Sequence, residues 1–365
     1  MNNYIKRKTM NIVTLAHGSG GINSAEFVQK IFMPYFTDIM PYANEDSGIF
    51  CNTSDMSYVT STDSYTINPI FFAGGDIGKL CVCGSSNDVA MMGGKPLYLN
   101  IGFIIEEGFS IDLLKKIAES IAIECKKLDI KILSADTKVL PKVTNNTEAK
   151  DKLIFINTTC IGSIQKDSIS AKNLSEDDCI ILSGKIGNHG AQIFLEQNNI
   201  AITSNIQSDC ASLYPMLEPL LQSDIPIHCM RDATRGGLSS VLNEWAISSH
   251  ACIDINEESI QIDSEVYGVC EMLGLEPYDL ANEGVCVIAL PNRYADKALS
   301  ILKQHVLGSN AAVIGKVSKV FTPQELNSKA HISGNTYYQK VVLHTKYGSK
   351  RFLEYPQGEL LPRIC

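Results

Sequence analysis

The chain lacks a CxxC pair, lacks an apolar run long enough to span a bilayer and lacks a GxxxxGK[ST] loop. Each gap removes a class of function. Its cysteines number 12, but the nearest pair, Cys81 and Cys83, does not by itself make a zinc pattern. Most of the others, such as Cys160, Cys179, Cys252 and Cys286, lie inside apolar runs, where a thiol acts as a small buried hydrophobe of a reducing compartment. No stretch approaches the ~20 apolar residues of a transmembrane helix. The apolar segment Ile12–Ala16 behind Lys6, Arg7 and Lys8 is too short for a secretory signal. Basic residues are outnumbered 31 to 40 by acidic ones, giving a net charge of -9. That balance argues against nucleic acid and against an anionic membrane as partners. A cytoplasmic protein is expected.

What is present fits an ordinary globular protein of 365 residues, 45% apolar and 19% charged, with about two domains. Strands and helices are mixed throughout, so the class is α+β or α/β. Residues 22–36 carry apolar positions at helical spacing. Residues 58–62 read as a strand ending at Asp63, 78–92 as a helix and 97–105 as a strand. Residues 111–128 give the clearest amphipathic helix, with Leu114, Ile117, Ile121 and Cys125 on one face and Ser110 as N-cap. Ile130–Leu133 and Leu153–Ile164 are strands around a polar loop at 141–152. A second unit begins near 166. It holds a strand at Cys179–Leu182, helices from about 190 and around Leu238–Trp245, a strand at Val285–Leu290 and a helix at Ala295–Gln304. A hairpin follows, formed by Val341–Thr345 and Lys350–Glu354.

The chemistry concentrates in acidic residues at strand ends and Gly-rich turns: Asp46, Asp63, Asp76, Asp88, Asp136 and Asp232. An aspartate in apolar surroundings must be paired, capped or metal-bound. For any single one a cap or turn is an adequate explanation. Together they suggest a hard-cation site of the kind that holds Mg²⁺ on a nucleotide. Two loops, His17-Gly18-Ser19-Gly20-Gly21 and Gly184-Lys185-Ile186-Gly187-Asn188-His189-Gly190, each precede a helix and could hold phosphate or be plain turns. Lys79 and Lys138 could neutralise phosphate or act as bases, or be solvated surface lysines. Arg231 and Arg235 flank Asp232 and could grip phosphate oxygens. The last residue is Cys365, on a stretch broken by Pro356, Gly358 and Pro362. This reads as a mobile tail with a thiol at its tip, able to carry a covalent group between sites, or as an incidental exposed cysteine. Prenylation needs the cysteine four residues from the end and is excluded.

A run of motifs joins these features. Besides the His17–Gly21 loop they are Thr62-Asp63-Ser64-Tyr65, Phe71-Phe72-Ala73-Gly74-Gly75-Asp76-Ile77-Gly78-Lys79-Leu80 and Asn87-Asp88-Val89-Ala90-Met91-Met92-Gly93. Gly102–Phe109, Asp136-Thr137-Lys138-Val139, Arg231-Asp232-Ala233-Thr234-Arg235-Gly236-Gly237-Leu238, Ala281-Asn282-Glu283-Gly284 and Pro362-Arg363-Ile364-Cys365 complete them. From about residue 13 to the end the chain resembles the HypE carbamoyl dehydratases of hydrogenase maturation, in the aminoimidazole ribonucleotide synthetase (PurM-like) superfamily.

The resemblance implies an N-terminal ATP-binding domain at 10–165, whose sheet is covered by helices on one face and dimerises. It implies a C-terminal α/β domain at 166–354 and a mobile tail at 355–365. It implies a carbamoyl group placed on Cys365 by the carbamoyltransferase HypF. ATP then drives dehydration to a thiocyanate, and the cyanide goes to iron held by a HypC–HypD complex. By the same resemblance Asp46, Asp63, Asp88 and Asp136 would hold Mg²⁺ and the phosphates of ATP. Asn87, Asp232, Lys79 and Arg235 would assist, Gly18, Ser19, Gly20 and Gly21 would lie over the phosphates, and Lys138 and Glu283 would aid deprotonation of the tail. Two positions depart from the family pattern. Ala135 stands where glycine is usual, harmless only at negative φ. Asn188 stands where aspartate is usual, which puts a charged role there in question. The alternatives are a selenophosphate synthetase or thiamine-phosphate kinase relative, or a non-catalytic scaffold. The first would need a reactive cysteine near the N-terminal Gly-rich loop, and none precedes Cys51; a kinase would give Cys365 no role.

Overall fold

The computed structural model describes residues 21–31, 33–36, 45–51, 57–143, 152–198, 200, 205–322, 324–325, 337–357 and 364–365. Helices α1 (Gly21–Ile31) and α2 (Met33–Phe36) precede strands β1 (Gly48–Cys51) and β2 (Ser57–Tyr65). A two-stranded ribbon, β3 (Phe71–Phe72) with β4 (Gly75–Asp76), leads into α3 (Ile77–Met91). Then come β5 (Gly94–Glu106), α4 (Ile111–Lys127), β6 (Lys131–Leu140) and β7 (Ile154–Ile164). The first sheet has the order β1-β2-β7-β5-β6. The β5–β6 pair is parallel, and α4 is the crossover such a pair requires.

One face of this sheet packs on α3 and α4. Helix α4 buries Ile117, Ile121 and Cys125, and Ser110 Oγ accepts from the Leu113 N–H at 3.4 Å as the N-cap. Helix α3 is buried on nearly every side, as an all-round apolar and small-residue helix must be. Its N-cap is Asp76, which accepts from the Gly78 and Lys79 N–H groups at 2.7 and 3.1 Å and from Ser120 Oγ at 2.5 Å. On the opposite face of the sheet Asn157 donates to Ser64 Oγ and Thr159 to Thr62 Oγ1, both at 3.0 Å. Tyr98 and Ile104 are exposed there, and the edge strand β6 exposes Ile132, Leu133 and Val139. Strand β6 is longer than Ile130–Leu133 and carries Asp136 and Lys138 within it.

The second half runs β8 (Asp178–Leu182), α5 (Asn188–Gln197), α6 (Tyr214–Leu221), β9 (Cys229–Asp232), α7 (Gly237–Ser248), β10 (Ala251–Asn256), α8 (Ser264–Leu273), β11 (Cys286–Pro291), α9 (Ala295–Leu302), β12 (Ala312–Val320), β13 (Lys340–His344) and β14 (Lys350–Phe352). These strands form a sheet in the order β14-β13-β10-β12-β8-β11-β9. Both faces are covered. Ile180 and Leu182 of β8 join a core with Leu238, Leu242 and Trp245 of α7. Cys179 and Ile181 turn the other way onto Leu217, Leu220 and Ala298 of α6 and α9. That explains the unbroken apolar run Cys179–Leu182. The expected hairpin is β13–β14, with Val342 opposite Phe352. No helix among the described residues is long and apolar enough to cross a membrane.

Candidate active site

The two sheets and α3 enclose a cavity of about 230 Å³. Asp63 reaches it from β2, Asp88 from α3 and Asp46 from the segment before β1. Arg231 and Asp232 come from the end of β9, Arg235 from the turn before α7, Glu283 from the loop before β11, and Cys365 from the tail. Residues far apart in sequence thus converge because two β-sheets present their ends to one helix.

Acid dominates the lining and is only partly compensated. Arg231 Nε lies 2.7 Å from Asp46 Oδ1, and Arg231 Nη1 lies 2.5 Å from Glu244. Tyr355 Oη also donates to Glu244 at 2.8 Å. Ser61 Oγ donates to Asp88 at 2.5 Å, and Tyr65 Oη to Asp63 at 3.3 Å. The Asp209 carboxylate accepts from the backbone N–H groups of Glu283 and Gly284, fixing the Glu283 turn. Two buried carboxylate oxygens that face this space, Asp232 Oδ2 and Glu283 Oε1, have no hydrogen-bond partner.

Burial and crowding show in the proton affinities. Burial pushes Asp46 up to about 6, with Arg231 opposing. Asp88 is raised well above the carboxylate range by burial and by the nearby Asp63 and Asp232. Burial likewise raises Asp232, aided by Asp46, and Glu283, aided by Asp232 and Asp209. Carboxylates in this condition call for a cation. Among the described residues no three ligating side chains already converge as a cation cage. The donor set, carboxylate oxygens throughout, is of the kind that suits a hard cation. The Cys365 thiol is pushed up to about 12 by burial, against the pull of Arg235. It sits in the cavity as a neutral thiol.

Other residues singled out from sequence lie elsewhere. Asp136 and Lys138 do not line the cavity. They form an exposed pair, Lys138 Nζ donating to both Asp136 oxygens at 2.6 and 2.8 Å. Strand register explains this. Asp63 stands opposite Thr158, whose hydroxyl donates to the Cys81 carbonyl of α3. Asp136 stands in the row of Gly102, Asn157 and Ser64, on the opposite face of the sheet. Asn87 is a strut, donating to the Ala211 carbonyl at 3.1 Å and accepting from the Leu213 N–H at 2.8 Å. Lys79 Nζ donates to the Gly74 carbonyl at 3.0 Å and does not line the cavity. Gly18, Ser19 and Gly20 lie outside the described residues. Gly21 has φ +68, and a Cβ there would stand 2.3 Å from the Pro356 carbonyl oxygen, so α1 begins against the tail.

Both departures from the family pattern are accommodated. Ala135 is not among the residues with positive φ. Asn188 Nδ2 donates to Asp263 Oδ2 at 3.1 Å, while Lys185 holds the other oxygen at 2.5 Å. An aspartate at 188 would face Asp263 as a like charge, so an amide suits the position, which is outside the cavity.

The fold and this acidic cavity place the chain among the AIR synthase related proteins. Residues 44–164 match the N-terminal domain of that family and residues 175–323 its C-terminal domain. The carbamoyl dehydratase HypE of Escherichia coli (strain K12) is 38% identical over 364 residues, covering 98% of this chain and 100% of that protein. A crystal structure of HypE in complex with ATP superposes with a TM-score of 0.77 at 37% identity, covering 97% of this chain and 100% of that one. A HypE–HypF complex gives a TM-score of 0.78 at 36% identity, covering 90% of this chain and 99% of that one. The chain belongs to the HypE family of carbamoyl dehydratases.

Proposed function

We propose that this protein uses ATP to dehydrate an S-carbamoyl group on its own Cys365 to a thiocyanate, for the cyanide ligands of NiFe hydrogenase. The observation that carries this reading is the seating of Cys365 in the carboxylate cavity beside Arg235 and Glu283. Carbamoyl oxygen is a poor leaving group. Its attack on the γ-phosphorus of ATP forms a C–O–P link and releases ADP. The two amide protons and phosphate then depart, and the C≡N bond closes. The water equivalent leaves as phosphate, so no other reactant is required.

Asp63, Asp88 and Asp232, with Asp46, would hold Mg²⁺ against the phosphates, and the metal would supply charge neutralisation there. Arg235 steadies negative charge at the mouth of the cavity. A cation among the neighbouring carboxylates would offset the burial and repulsion that raise Glu283, and its carboxylate, whose Oε1 has no other partner, would then accept a proton. Burial disfavours ionisation of the inward thiol, so loading by HypF, which needs the thiolate, would use the tail outside the cavity.

Asp136 and Lys138 would act on a second copy. They share an uncovered sheet face and edge with exposed Tyr98, Ile104, Ile132 and Val139, which suits a homodimer formed through that sheet. Product cyanide would pass to the HypC–HypD iron scaffold in the cytoplasm. The test is the mass of the tail peptide after reaction with the carbamoyl-donor system and Mg²⁺–ATP. Cys365 should gain a carbamoyl group and then lose the mass of one water. Carbamoylation at another cysteine, or no water loss, would overturn the reading.

A further inference from the structure

We propose that His189 and Ser208 form a latch that holds the tail in the cavity by its main chain, making them positioning residues for the Cys365 chemistry. This inference rests on the reading just given and adds to it the device that docks the tail. His189 is fully buried. Its Nε2 lies 2.8 Å from the carbonyl oxygen of Ile364, and its Nδ1 lies 2.7 Å from Ser208 Oγ. A carbonyl can only accept, so Nε2 carries the proton. The Cys210 N–H donates to Ser208 Oγ at 3.1 Å. The Ser208 hydroxyl is therefore free to donate to the bare Nδ1 of the neutral ring. The chain of bonds Cys210 N–H, Ser208 O–H, His189 N–H, Ile364 C=O has one consistent direction, and every proton in it is assigned.

Next to it, the Cys365 backbone oxygen accepts from the Thr66 N–H at 2.9 Å and from Thr66 Oγ1 at 3.2 Å. Two consecutive main-chain oxygens are thus gripped, one from β2's exit and one from α5. The edge of the His189 ring meets Phe72 at 87°, with centroids 5.6 Å apart, which fixes the ring plane. Ser208 is itself held by the Gly74 turn. Its N–H donates to the Ala73 carbonyl at 2.8 Å, and a Cβ on Gly74 (φ +101) would lie 2.5 Å from the Ser208 carbonyl oxygen. Two Gly-rich motifs of this chain, Gly74–Gly78 and Gly187–Gly190, therefore come together to seat the tail. Neither motif lines the carboxylate cavity. The latch reads only main chain, so it can dock the tail whatever group the Cys365 sulfur carries.

The experiment compares His189→Leu, Ser208→Ala and His189→Gln in the full chain. Its readout is the rate of iodoacetamide labelling at Cys365, followed by peptide mass. Folding of each variant is verified by circular dichroism. Losing a buried hydrogen bond shifts docking on the order of tenfold. Labelling in His189→Leu and Ser208→Ala should therefore be about tenfold faster. His189→Gln, which keeps a donor near Nε2, should fall between these and the parent. Mg²⁺–ATP affinity should be unchanged in all three and carbamoyl loading, which uses the undocked tail, no slower than in the parent, while single-turnover loss of the carbamoyl group slows. Ser208→Ala keeps the test alive if His189→Leu does not fold. Parental labelling rates in folded His189→Leu and Ser208→Ala would overturn the latch. Labelling needs no turnover, so a parent protein that labels slowly but never dehydrates its tail would refute the proposed function and leave the latch standing.

Discussion

Replacing Ile364 with alanine separates docking of the tail from folding of the protein. Ile364 is 4% exposed and packs into the core shared with Ala191, Ile193, Ile206 and Leu280. The substitution removes three carbons, worth about 2.4 kcal/mol at ~0.8 kcal/mol per buried methylene. In an integral core residue a cavity cost would be added. A tail can instead withdraw, so the loss should appear in the docking equilibrium, as about a fifty-fold rise in the undocked population. Thiol labelling reads that population. With the docked thiol pushed up to about 12 from 9.0, its thiolate fraction at pH 8 is about a thousandfold below that of a free tail, and labelling proceeds through the undocked state. Ile364→Ala should therefore label about fifty-fold faster while its unfolding free energy changes by less than about 1 kcal/mol. Equal labelling rates would show that the side chain does not hold the tail. A stability loss of about 3 kcal/mol or more would show that Ile364 is part of the folding core and that no removable tail exists.

Asp63→Ala and Asp88→Ala should each weaken Mg²⁺–ATP binding by at least about tenfold in titration calorimetry, since hard cations need carboxylate oxygens; unchanged affinity in both would make these residues structural. Asp46, Asp209 and Asp279 each stand at about 6 in the fold against 3.8 unfolded, with burial the main cause. Raised carboxylates contribute stability that is full below the unfolded value and lost as pH rises through the folded one. The melting temperature of ligand-free protein should accordingly fall between about pH 4.5 and 7, and Mg²⁺–ATP should restore more of it at pH 7 than at 5; a melting temperature rising across that window would contradict the assignment. Glu325, exposed and lowered to about 2 by hydrogen bonds from Thr322, works in the opposite sense only below its ordinary range. Mixing inactive Asp136→Ala with inactive Glu283→Gln should restore about a quarter of the sites if two copies share them, because half of a random mixture is mixed dimer with one intact site; no recovery in verified mixed dimers would refute sharing.

The convergence of Asp46, Asp63, Asp88 and Asp232 was legible from sequence, because acid in apolar or glycine-rich surroundings needs a reason, while Glu283 and Cys365 were joined to it by the family resemblance. What the sequence hid was direction. Asp136-Thr137-Lys138 looked equivalent to Thr62-Asp63-Ser64, but one step of strand parity sends Asp136 to the uncovered face. Lys79 was a phosphate candidate until the Gly74 carbonyl claimed its ammonium group. Asn87, beside Asp88 on α3, turns to the segment at 211–213 instead of the cavity. The His189 turn was read as a phosphate loop or a plain turn. Its histidine was the available signal, but both its partners, Ser208 and the docked tail, arrive from across the fold. Thr66, Ser208 and Glu244 carried no pattern at all, since each acts through one contact made across the fold. Among the elements, β1, β9, β10, β12, α6 and α8 were missed; β1 and β9 are only four residues long, too short to declare a period.

The anchoring of the tail at both ends has a kinetic consequence. Pro356 accepts from the Ile22 N–H at 3.0 Å and Ile364 from His189, so the reactive end is kept at the cavity of the chain that carries it. Catalyst and substrate then meet at an effective concentration on the order of millimolar or above, set by chain length alone. Dehydration should be first order and indifferent to dilution of the protein. A free peptide ending in the same residues would have to be supplied near that concentration to compete. Each molecule processes the cargo that it carries, so every turnover requires one reloading and one unloading of the tail by its partners.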